Sequence, residues 1–275
     1  MKKLRIWCFL LCIAMLGALA LSACEAERDS EDTGDGGQEA RVETVDGVTY
    51  TLLGDETWAV TGYDETLEAE VELPEALLGH TVTAIGDRAF YECAALTAIT
   101  LPQSVTSIGA EAFSWCENLK SVTLPEKMTS IGAFAFNGCG RLTEMVLPDG
   151  LTKIATGLFF RCEKLQRVEL PEGITEIGYT AFWHCSSLTE VHVPEGVTFI
   201  DTDAFGWCKS LSRISLPYSL KYVGGEVFIL CNDLLRIEYP GYMSEWLAIE
   251  KAESWKSGIR ANVYCSDGYL ATARA

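Results

Sequence analysis

The sequence predicts a repeat solenoid with a parallel β-sheet on its concave face and short irregular or helical return legs. Three observations predict it. Prolines recur at Pro102, Pro125, Pro148, Pro171, Pro194, Pro217 and Pro240, each 23 residues after the last. Phenylalanines keep the same step from Phe90 to Phe228, and cysteines keep it from Cys93 to Cys231. Leucines do so from Leu96 to Leu234. A fixed period in the range of about 20 to 29 residues, with apolar positions spread through it, is that of a leucine-rich solenoid in which each unit buries its face against copies of itself.

The elements follow in chain order. Met1-Lys2-Lys3-Leu4-Arg5 is basic and is followed by apolar or small residues from Ile6 to Leu21, a run too short to span a bilayer core of about 30 Å. Residues 1–23 therefore read as a signal peptide. Leu21-Ser22-Ala23-Cys24 has the form of a bacterial lipoprotein cleavage box, in which the Cys24 thiol takes a diacylglycerol before cleavage leaves it at the N-terminus. Cleavage after Ala23 without lipid is the plainer alternative. Two or three acyl chains make a stable membrane anchor where one is marginal.

Residues 24–44 read as an acidic, disordered tether. From 25 to 46 there are nine acids against Arg28 and Arg41, with Gly34, Gly36 and Gly37 and almost nothing apolar. Such a segment repels itself and stays extended. It is no calcium loop, because the position that needs a bidentate glutamate holds Ala40. Residues 45–73 read as a cap hairpin, with one run from Val45 to Leu52 and another from Trp58 to Tyr63.

Residues 74–240 are the solenoid, seven coils of 23 residues. In each coil a short alternating run before the proline is the strand. Leu119, Val122 and Leu124 point inward and Ser121 and Thr123 outward, because side chains alternate along a strand. Proline then ends pairing, having no N–H to donate. An apolar step follows, as in Met128-x-x-Ile131-Gly132, where glycine permits the bend into the return leg. An Ala-Phe pair buries the next corner. Adjacent coils stack at about 4.8 Å, so seven strands make a parallel sheet roughly 30 Å long. Residues 241–275 form a C-terminal cap.

This repeat, L-x-x-I-x-L-P, then V-x-x-I-G, then A-F-x-x-C-x-x-L, resembles that of the BspA-type leucine-rich repeat proteins over residues 74–240. The hairpin before it resembles that family's N-terminal cap. The segment from Glu245-Trp246 through Trp255 to Val263-Tyr264-Cys265-Ser266-Asp267-Gly268 resembles its C-terminal ending. The chain departs from the pattern where Ala155 and Asp201 replace the glycine after isoleucine, and where Leu158 and Val227 replace the alanine before phenylalanine. Those departures bear on local turn shape.

Composition excludes several functions. The chain has 275 residues, a formal charge of -18, 48% hydrophobic residues and 22% charged ones. It forms a core and lacks the basic surface of a nucleic-acid protein. No G-x-S-x-G, H-E-x-x-H or P-loop occurs, and the histidines His80, His184 and His192 fall in separate places. The reading is of a protein without enzymatic chemistry, cofactor or metal. The cysteine row offers no C-x-x-C and no tetrahedral set. In-register neighbours about 4.8 Å apart also exceed the Cβ separation of roughly 3.5 to 4.5 Å that a disulfide needs, so the cysteines read as buried free thiols.

Two surfaces are candidates for binding a partner. On the concave face, Glu144, Arg167, Glu190 and Arg213 fall in one outward column, and Glu169 and His192 in the other. The structural alternative is a self-satisfied ladder of alternating charge in the first column. On the convex turn before each cysteine stand Tyr91, Trp115, Phe160, Trp183, His184 and Trp207, which read either as anchors for a partner or as coil-to-coil packing. A third row, Glu126, Asp149, Glu172 and Glu195, reads as a solvated turn. The resemblance implies a lipid-anchored bacterial cell-surface protein outside the cytoplasm, an adhesin or scaffold binding an extracellular protein or glycan. The competing reading is a glycan-binding lipoprotein for nutrient capture.

Overall fold

The computed structural model describes residues 40–271. The signal peptide, Cys24 and most of the tether lie outside them. Strands Val42–Val45, Val48–Leu52 and Trp58–Tyr63 form an antiparallel cap, and the last of these pairs in parallel with His80–Ile85. The first strand thus takes in residues whose composition groups them with the tether. Trp58 is fully buried here, and its indole N–H donates to the Leu77 carbonyl at 2.7 Å.

From there the chain winds as a β-solenoid. Strands such as Ser121–Thr123 face the concave side, while two-residue strands such as Ser107–Ile108 and Ser130–Ile131 form a second parallel ladder on the back. The return legs are irregular, as expected, built of turns apart from this two-residue extended step. The inward isoleucine needs only a short extended step, and the threonine before it ties adjacent coils, as where Thr129 Oγ1 donates to the Thr106 carbonyl at 3.2 Å. The one helix among the described residues is Met243–Ala248, in the C-terminal cap. Glu245 reaches back to the Tyr242 N–H at 2.7 Å, and the Lys251 ammonium donates to the carbonyls of Trp246 and Ile249 at the other end. Burial lowers the Lys251 pKa to about 8.

The concave face has strands at nine positions, from Glu70–Glu72 through the seven coils to Asn262–Cys265, because each cap adds one to the expected seven. They do not form one sheet. Pairing stops between Ser121–Thr123 and Glu144–Val146, and again between Arg167–Glu169 and Glu190–His192. At the first of these joints the back ladder also stops: Ile131 pairs backward with Ile108, and Ile154 pairs forward with Ile177. Only corner bonds cross it, such as the Phe136 N–H to the Leu158 carbonyl at 3.1 Å.

The residues at that joint explain the gap. The glycine after each isoleucine is needed for close approach: a Cβ on Gly132 would lie 2.4 Å from the Ala110 nitrogen, and one on Gly224 would lie 2.3 Å from that of Thr202. None of these glycines has a positive φ, so the expected bend is not their role; the left-handed positions are instead two per coil at the corner, as at Glu111 and Trp115. Ala155 puts a methyl where all its counterparts but Asp201 have glycine, and Leu158 puts a large side chain where all but Val227 have alanine; only this coil carries both changes. At Asp201 the back ladder stays paired although the front ladder stops, and at Val227 both ladders stay paired. Leu158 and Val227 nevertheless widen the phenylalanine row: Phe136–Phe159 and Phe205–Phe228 stack at 5.9 Å, against 5.2 to 5.5 Å at the other joints.

The core is the row of phenylalanines and cysteines. All seven solenoid cysteines are free and buried. From Cys116 to Cys231 each thiol donates to the carbonyl of the phenylalanine 26 residues earlier, at 3.0 to 3.2 Å. Burial raises the pKa of Cys116, Cys139, Cys162, Cys185 and Cys208 well above the usual thiol range. Cysteine suits this position because it is small, apolar enough for a dry core, and still a weak donor.

Candidate partner-binding surface

Alternation along the front strands puts residues 167, 169, 190, 192 and 213 on the concave surface, and all five are exposed. Because Arg167–Glu169 and Glu190–His192 do not pair, a groove of about 400 Å³ opens there. It is lined by Arg167, Glu169, Glu190, His192 and Arg213 with Ser215. The structure therefore gathers five of the six concave residues expected from sequence. Glu144, one coil earlier, is exposed but does not line the groove.

The expected charge ladder does not form. Register sets Glu144 opposite Arg167 and Glu190 opposite Arg213, yet the arginines turn to the second column. Arg167 pairs with Glu169 at 2.6 Å, while Arg213 and Arg236 converge on Glu238 at 2.5 and 2.6 Å. These are exposed pairs of about 0 to 1 kcal/mol each. Among the described residues, Glu144 and Glu190 have no ion-pair partner within 4 Å, so the groove offers uncompensated carboxylate. His192 Nδ1 lies 2.6 Å from Ser215 Oγ, which orients the imidazole.

The convex aromatics occupy two columns rather than one. Trp115, His184 and Trp207 stand directly before a cysteine, while Tyr91, Phe160 and Trp183 stand one residue earlier. Rings in both columns lie on the next coil. A Cβ on Gly138 would be 2.8 Å from the Trp115 ring, and one on Gly206 would be 2.2 Å from that of Trp183. Arg161 reaches across to Trp115 at 5.9 Å, and Phe160 packs edge-on against Phe134 at 6.2 Å. His184 sits 5.6 Å from the Trp207 ring. Its buried Nδ1 is 3.4 Å from Glu163 without hydrogen-bond geometry, and burial lowers its pKa against the partial support of that carboxylate. All six aromatics are half-buried in this way.

The row after the prolines does more than face solvent at its ends. The Glu195 carboxylate accepts the N–H groups of Tyr218 and Ser219 in the next coil, at 2.8 and 3.3 Å. Glu75 does the same for Gln103 and Ser104. The sequence reading missed a second depression beside the groove, where tyrosines meet the C-terminal cap. Six of the ten tyrosines fall from residue 218 onward, a bias that was legible.

Comparison with known proteins agrees with this geometry. A family model described as the BspA type leucine rich repeat region matches in six copies, over residues 83–211 and 129–247. A leucine-rich repeat protein from Bacteroides ovatus is similar at 25% identity and TM-score 0.58, covering 80% of this chain and 70% of that one. The leucine rich repeat protein of T. pallidum is similar at 26% identity and TM-score 0.51, covering 72% of this chain and 86% of that one. No curated protein matches the chain. Since the family model spans more than half of its residues, and the coils repeat that family's pattern of leucine, isoleucine-glycine and phenylalanine-cysteine, the chain belongs to the BspA-type leucine-rich repeat family.

Proposed function

We propose that the protein is a bacterial surface lipoprotein, held to its membrane by lipid on Cys24, whose solenoid binds an extracellular protein through the concave groove. It works as an adhesin or scaffold and performs no chemistry. The observation that carries this reading is the groove itself, a solvent-open surface whose charged residues are set by a rigid scaffold and whose Glu190 is left unpaired. A surface of this kind suits a partner with basic side chains, and the formal charge of -18 steers such a partner at a distance. Family membership supports the surface location. Among the described residues no helix is long and apolar enough to cross a membrane.

The test is affinity for a panel of immobilised extracellular-matrix proteins. Glu190→Gln, which removes the unpaired carboxylate, should weaken binding by about tenfold, with the largest loss at low salt. Replacing Trp115, Trp183 and Trp207 with Ser should leave the affinity of the folded protein nearly unchanged. The reverse pattern would move the site to the convex turns. Anchoring is checked on protein from its native host by mass spectrometry, where an unmodified Cys24 at the N-terminus would refute it.

A further inference from the structure

The tyrosine-lined depression at the C-terminal end of the concave face has a volume of about 460 Å³. Its lining includes the rings of Pro217, Tyr239, Pro240 and Tyr264. That lining is rigid. Tyr239 is buried, stacks on Tyr218 at 6.2 Å and 14°, and tilts against Trp246 at 5.5 Å. Tyr264 is braced by Tyr269 at 5.7 Å and by the Arg236 guanidinium at 4.3 Å from its ring centre.

The rim is polar and held in place. Glu238 accepts from both Arg213 and Arg236, and His192 meets Ser215. Glu195 is fixed by two backbone N–H groups. These contacts use only part of each group's capacity, since a carboxylate has about four lone-pair sites and a guanidinium five N–H donors. Arg236 and Glu238 cancel and Glu195 leaves the rim with one net negative charge, which favours a neutral ligand over an anionic one.

We infer that this cleft binds a neutral oligosaccharide. A pyranose has an apolar C–H face, which lies on aromatic rings, and an equatorial belt of hydroxyls, which bond to carboxylate and guanidinium in pairs. The volume falls within the range of about 300 to 1,000 Å³ usual for small-ligand sites. A peptide fits less well, because strands Glu190–His192, Arg213–Ser215, Arg236–Glu238 and Asn262–Cys265 pair consecutively and leave no main-chain edge inside the cleft. This inference goes beyond the groove reading and does not depend on it.

The experiment uses the full-length protein and four neutral probes, maltotriose, cellotriose, mannotriose and triacetylchitotriose, with trigalacturonate as the charged control. Titration calorimetry and saturation-transfer NMR read binding. At least one neutral probe should bind at millimolar concentration or below. Tyr264→Ala and Glu238→Gln should each weaken it by about tenfold, the usual size of losing one ring platform or charge-assisted bond. His192→Ala, at an exposed rim position, carries the same expectation if Tyr264→Ala fails to fold. Silence from all four neutral probes, preference for trigalacturonate, or wild-type affinity in Glu238→Gln and His192→Ala would each overturn the inference. His192 and Ser215 line both hollows, but Tyr264 and Glu238 line only this cleft and Glu190 only the groove, so Tyr264→Ala and Glu238→Gln on one side and Glu190→Gln on the other keep the two results distinguishable.

Discussion

Asp203 shows how one side chain can set the pH response of a coil. It is 7% exposed, holds a left-handed φ of 59°, and has a buried Oδ1 with no hydrogen-bond partner. Burial, then the nearby Glu226 and Asp201 carboxylates, push its pKa up from 3.8 to about 7. Between those two values the unfolded chain gives up the proton while the folded chain keeps it. Stability from this group is therefore full at low pH, declines across that window, and levels off above about 7. Asp203→Asn removes the ionising group and retains a residue that tolerates the left-handed region. Its melting temperature should exceed that of the parent protein at pH 8, with the gap closing as pH falls towards 4. A gap that does not change with pH would mean that Asp203 titrates normally.

At the scale of the element, three corners interlock large and absent side chains, with rings of Trp115, Phe134 and Trp183 against Gly138, Gly157 and Gly206. The Trp183 ring lies 2.2 Å from where Gly206 would carry a Cβ, with the Ile229 methyl next at 3.2 Å, and Gly206 has an ordinary φ, so the ring is the main bar to a side chain there. Gly206→Ala should cost about 1 to 3 kcal/mol by overpacking. In the Trp183→Ala background the same change should cost much less, giving a coupling energy of about 0.5 to 3 kcal/mol in a double-mutant cycle. Additive costs in chemical unfolding would show that ring and glycine do not share the space. Such an interlock explains why tryptophans recur on a surface turn without any need for a ligand.

For the whole molecule, the joint between the coils of Ile131 and Ile154 matters most. Both ladders stop there, and a solenoid's cooperativity is carried by nearest-neighbour interfaces. Native-state hydrogen exchange should sort the ladder amides into two groups of different opening free energy, one on each side of the joint. The double change Ala155→Gly and Leu158→Ala restores the glycine and alanine of the preceding joint, that of Gly132 and Ala135, where both ladders pair. It should merge the two groups and slow exchange of the residue 155 amide, which then can donate to Ile131 as Gly132 donates to Ile108 at 2.8 Å. A single exchange group in the unmodified protein would refute the division.

The 23-residue period by itself determined the solenoid, the inward rows and the outward columns, because stacking a repeat leaves little choice of which side chains face the core. It also located the departures at Ala155 and Leu158, and it determined that the cysteines stay free, since register spacing and not redox chemistry decides that. Tertiary structure alone decided the rest. It showed that the arginines choose Glu169 and Glu238 over their register partners, because a long side chain on an exposed strand can reach either column. It showed that the thiols from Cys116 to Cys231 each have a carbonyl to meet, and that a two-residue step of the return legs pairs into a second ladder. It also formed the tyrosine cleft, whose walls come from three coils and a cap that no single repeat contains. A repeat pattern specifies what every coil shares, whereas a binding site is built from what the coils do not share.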